Sequence, residues 1–65
     1  MAEILMNQFK ALSIREFNRG NRTFSFCGQV CHIMPAHTNE YNVTIGGYDV
    51  CRLYAGNSET TIVSL

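Results

Sequence analysis

The chain has 65 residues and a mass of 7.3 kDa, room for one small domain spanning residues 1–65. Five Lys and Arg balance five Asp and Glu, and 46% of the residues are hydrophobic against 15% charged. This composition excludes an intrinsically disordered chain and lacks the basic excess of an autonomous nucleic-acid binder. A domain of this size buries only about 60% of its unfolded surface, so self-association, a metal or cross-links are expected to support it.

The opening Met1-Ala-Glu-Ile-Leu-Met6 has a short apolar run and no positive flank, and no stretch approaches the length of a membrane span. Three cysteines are an odd number, and small secreted scaffolds pair theirs. A reduced, cytoplasmic protein is expected. On that reading the sequons at Asn21 and Asn42 are coincidental.

From Ala2 to Leu12 the residues are good helix formers, and Leu5, Phe9 and Leu12 share one helical face, widened by Ile4 and Met6. Ser13-Ile-Arg-Glu16 has capping-box spacing, so the helical segment reads as one bent helix or two short ones between about Glu3 and Phe17. Gly20 suits a left-handed helix terminus. From Thr23 the period changes to two, with Phe24 and Phe26 on one strand face. Gly28 marks either a bulge or a tight turn before Val30–Met34. Pro35–Glu40 has loop composition.

Gly46-Gly47 between alternating runs signals a two-residue hairpin pairing Ile45 with Tyr48, Val43 with Val50 and Tyr41 with Arg52. A four-residue loop at Ala55–Ser58 then pairs Tyr54 with Glu59, Val50 with Val63 and Tyr48 with Leu65. The expected fold class is α+β, an N-terminal helical segment packed on a meander sheet of three or four antiparallel strands. The helix is expected to cover the face carrying Val43, Ile45, Val50 and Val63. Cys51, Leu53 and Ile62, with Ile33 nearby, are expected on the opposite, open face.

Cys27, Cys31 and Cys51, with His32 and His37, are weak candidates for a metal site, since the donors suit zinc but the strand spacing splays Cys27 from Cys31. A Cys–His nucleophile is disfavoured because Cys31 and His32 point to opposite strand faces; Asp49 is the available orienting group. No catalytic residue and no cofactor is assigned. Gly46-Gly47 lacks a phosphate loop's lysine. Arg52 opposite Tyr41 reads as a cation–π pair.

Residues 1–22 carry a net charge of +2 and residues 23–65 a net −2. Arg15, Arg19 and Arg22 are candidate binding residues toward phosphate or an acidic protein patch, and Leu53 and Ile62 toward an apolar partner surface. The expected function is a small, non-enzymatic protein-binding module. Its size is compatible with a phage or mobile-element accessory protein that inhibits or redirects a host factor. The alternatives are a nucleic-acid-associated regulator using the arginines and a zinc-stabilised mini-domain. A homo-oligomer is expected, because the terminal strand has no Pro or Lys to blunt it.

Overall fold

A computed structural model of the chain describes the backbone from Ala2 to Leu65 and the side chains from Leu5 onward, so the expected contribution of Ile4 lies outside the described residues. The fold is α+β. One helix, α1 (Ala2–Asn18), precedes five strands: β1 (Thr23–Phe26), β2 (Gln29–His37), β3 (Glu40–Ile45), β4 (Tyr48–Ala55) and β5 (Thr60–Ser64). The strands form one antiparallel sheet in the order β1-β2-β3-β4-β5, a meander of five strands rather than three or four.

The helix runs through Ser13 without a break. Instead of capping a second helix, the Ser13 hydroxyl donates back to the Phe9 carbonyl at 2.8 Å and is fully buried. The helix ends at Gly20, whose φ of 87° is open to a residue without Cβ. The Gly20 amide donates to the Phe17 carbonyl and the Asn21 amide to that of Glu16, so the last carbonyls are satisfied in a Schellman motif.

At Cys27-Gly28 the chain makes a tight hairpin, not a bulge: Phe26 pairs with Gln29, and the two turn residues have φ of 50° and 77°. Gly46-Gly47 makes the second such turn, with Ile45 paired to Tyr48 as expected. The segment Pro35–His37 belongs to β2 rather than to a loop. A register shift between Pro35 and His37 accommodates it, and the turn is confined to Thr38-Asn39.

Beyond its first two pairs, the β3–β4 ladder departs from the expected register. Thr44 pairs with Asp49 but Val43 pairs with Cys51, leaving Val50 as the extra residue of a bulge. Tyr41 therefore faces Leu53 and Asn42 faces Arg52. The β4–β5 ladder is also displaced, pairing Tyr54 with Thr61, Arg52 with Val63 and Leu53 with Ile62. A bulge re-aims every residue that follows it, so Cys51 and Leu53 join the helix side and Val63 leaves it.

The core consists of Phe9, Phe24, Cys31, Ile33, Val43, Cys51 and Leu53, with Met6, Leu12, Phe17, Phe26, Tyr41, Ile45, Val50 and Ile62 packed around it. Phe9 is its aromatic hub, 5.3 Å from the Phe26 ring in an edge-to-face arrangement and 6.0 Å from Phe24. Asn18 at the helix end accepts a hydrogen bond from the Thr60 hydroxyl at 3.0 Å, tying α1 to the last strand.

Candidate protein-binding surface

The helix covers one face of the sheet and leaves the other open. On the open face the ladders align Met34, Asn42, Arg52 and Val63 in one row across β2 to β5. Neighbouring rows hold Thr23, His32, Thr44 and Asp49 on one side, and His37, Glu40, Tyr54 and Thr61 on the other. Met34 is 55% exposed, Val63 46% and Tyr54 36%, and Val30 at the same face is also exposed. Arg52 donates to the Asn42 side chain at 2.9 Å across the ladder, which fixes its guanidinium between Met34 and Val63. The Thr23 hydroxyl lies 3.4 Å from His32 Nδ1. This surface sets exposed Met34, Tyr54 and Val63 and the ladder-held Arg52 among threonines, histidines and the carboxylates of Glu40 and Asp49.

Leu53 and Ile62 are not on this face. Leu53 is fully buried beneath the helix and Ile62 is half-buried against the same core, both consequences of the Val50 bulge. Only part of the expected helix-covered set keeps its place: Val43, Ile45 and Val50 remain, whereas Val63 faces outward.

The three arginines do not act as one patch. Arg22 stacks on Phe17, with its guanidinium carbon 4.2 Å from the ring centroid, and reaches toward Tyr41 at 5.5 Å. It also donates to the Phe17 and Asn21 carbonyls. Tyr41 thus receives its cation from Arg22 and not from Arg52. Arg15 and Arg19 are exposed and share a single partner, the Glu16 carboxylate, at 3.8 Å each. Glu16 halves the positive charge that the sequence places there.

The cysteines are separated by burial. Cys27 is exposed on its turn, while Cys31 and Cys51 lie in the core. The Cys51 thiol contacts the Met6 sulfur at 3.8 Å, and the Cys31 thiol points to the Gln29 carbonyl at 3.6 Å. Burial pushes both thiols up from their ordinary range, and proximity to the Cys27 sulfur adds to the rise at Cys31. His37 stands at the far end of β2. Among the described residues no three His, Cys, Asp or Glu side chains are grouped to hold a metal ion.

A concavity opens between the first half of the helix and the hairpin ends. Leu5, Met6, Phe9, Phe26, Ile45 and Val50 line this cleft of about 270 Å³, all of them apolar. Its floor is the aromatic hub of the core, so it is continuous with the packing that holds the helix down. No described helix is long and apolar enough to cross a membrane. Comparison with known proteins finds no matching family model, no matching curated protein and no matching solved structure.

The open face was legible in part. Alternation marks Asn42 and Thr44 as one side of β3, but Ile33, expected near the open face, is buried in the core beneath the helix, which turns His32 and Met34 outward. Assigning Tyr54 and Val63 to that face required the Val50 bulge, for which no local residue type gives a signal.

Proposed function

We propose that the protein is a small non-enzymatic binding module that docks a larger protein through the uncovered face of its sheet. One observation carries this reading: Met34, Tyr54 and Val63 are exposed together on three strands of one rigid sheet, around the ladder-held Arg52. A backbone already fixed in a sheet needs no further ordering on docking, which lowers the entropic cost of binding. A cytoplasmic accessory role, in which occupying a host factor's surface inhibits or redirects it, is consistent with a domain that has little besides surface to act with.

The test is capture from the native cell with wild type and with Met34→Asp and Tyr54→Ala, each checked for unchanged circular dichroism. A partner retained by wild type and lost by both folded variants supports the reading. Undiminished capture by both variants rejects this face.

A further inference from the structure

We infer that β5 pairs with β5 of a second copy of this chain, antiparallel about a two-fold axis through Ile62, to make a continuous ten-stranded sheet. The backbone hydrogen bonds show which groups of β5 are available. The Leu65 amide donates to the Val50 carbonyl at 3.1 Å, and the Gly56 amide to the Glu59 carbonyl at 2.8 Å. In an antiparallel ladder such bonded pairs recur at every second residue. Thr61 and Val63 therefore turn their N–H and C=O groups toward β4, opposite Tyr54 and Arg52. Thr60, Ile62 and Ser64 turn theirs outward, where the sheet has no further strand.

Those outward residues are symmetric about Ile62. A two-fold axis there pairs Ile62 with its own copy and Thr60 with Ser64 of the other, each a bonded pair exchanging two N–H···O contacts. On the helix side the two half-buried Ile62 side chains meet and join the two cores, flanked by Thr60–Ser64 hydroxyl pairs. On the open face Val63 lies beside Thr61 of the other copy.

Two further features leave this edge free to pair, and the first suits a second copy in particular. Thr60–Leu65 contains no charged side chain, and the whole chain is formally neutral, so two identical edges meet without repulsion. The strand also lacks the devices that protect edges, having no Pro, no Lys and no register shift. The opposite edge differs. β1 has only four residues, and the Arg22–Ile33 backbone bond leaves just Thr23 and Ser25 facing outward.

The decisive substitution is Ser64→Pro. It removes an outward amide while leaving the Leu65–Val50 and β4-facing bonds intact, and Ser64 is exposed. Sedimentation at high micromolar concentration should give twice the monomer mass for wild type and for Ser64→Ala. Ser64→Pro should raise the concentration of half-dissociation roughly tenfold or more. Amide hydrogen exchange supplies a readout that does not depend on the variant: Thr60, Ile62 and Ser64 amides should be protected in concentrated wild type and lose protection on dilution. A wild-type monomer overturns the inference, as does a dimer whose three edge amides exchange freely or which Ser64→Pro leaves unchanged. Edge amides protected only when a cellular partner is added would assign the edge to that partner instead. The docking face proposed above is tested at Met34 on β2 and Tyr54 on β4, neither of which lies on the edge strand or supplies an outward amide, so either can fail alone.

Discussion

Arg22 lies across the ring of Phe17 and bonds that residue's own carbonyl, so one side chain closes the helix end from two directions. An arginine engaged with an aromatic face and a helix-terminal carbonyl is structural before it is available to a ligand. Arg22→Ala is expected to cost about 1 kcal/mol, whereas Arg15→Ala and Arg19→Ala stay within about 0.5 kcal/mol of wild type. Thermal melting of the three variants checks the ordering. Salt-sensitive retention on RNA or DNA, abolished in Arg15→Ala and Arg19→Ala, would favour the nucleic-acid reading over protein docking.

Phe9→Ala removes the centre of the aromatic cluster. Phe9 is 3% exposed and touches both β1 phenylalanines, so truncation should cost about 3–5 kcal/mol. A chain of this size holds about 5 kcal/mol in all, and the variant should be largely unfolded by circular dichroism at 25 °C. A melting temperature close to that of wild type would contradict the packing of α1 on the sheet.

Cys27 occupies the first position of a turn whose two residues both have positive φ. A β-carbon is strained there, and Asn tolerates the left-handed region best among non-glycine residues. Cys27→Asn should therefore stabilise the domain by about 0.5 kcal/mol, a melting increase of roughly 2–4 °C. A decrease would show that the thiol has a role in the turn that the geometry does not supply.

The buried thiols set a pH dependence. Both Cys31 and Cys51 are raised by burial above the ordinary value of 9.0. The unfolded chain then loses these protons before the folded one, so their contribution is complete below pH 9 and declines as pH rises from there through the folded values. Thermal melts across that window should fall less steeply for Cys51→Ala than for wild type. In native protein Cys27 alone should react rapidly with a thiol reagent, with Cys31 and Cys51 following only on denaturation. Unfolding by a metal chelator would instead reinstate the zinc reading.

Turn chemistry was the most legible feature of the sequence. Gly46-Gly47 located its hairpin, and Gly20 located the end of the helix, because each demands a φ that few residues accept. What alternation could not reveal was the extra residue at Val50. Val43, Val50, Cys51 and Leu53 are all apolar, so two registers of β4 bury equally plausible sets and alternation alone does not choose between them. Pro35 misled for a related reason: proline suggests a loop, yet a register shift beside it lets β2 continue to His37. The arginine cluster was visible, but not that Glu16 and Phe17 would occupy it.

The bond between Asn18 and Thr60 stands apart from the rest of the sheet's connections, since every strand pairs only with its neighbour in sequence. The ladders can therefore zip in order along the chain, each step closing a short loop at small entropic cost. Docking α1 against the last strand is the long closure, since Asn18 and Thr60 lie 42 residues apart in the chain. If this closure comes last, changes at Thr60 are expected to speed unfolding more than they slow folding.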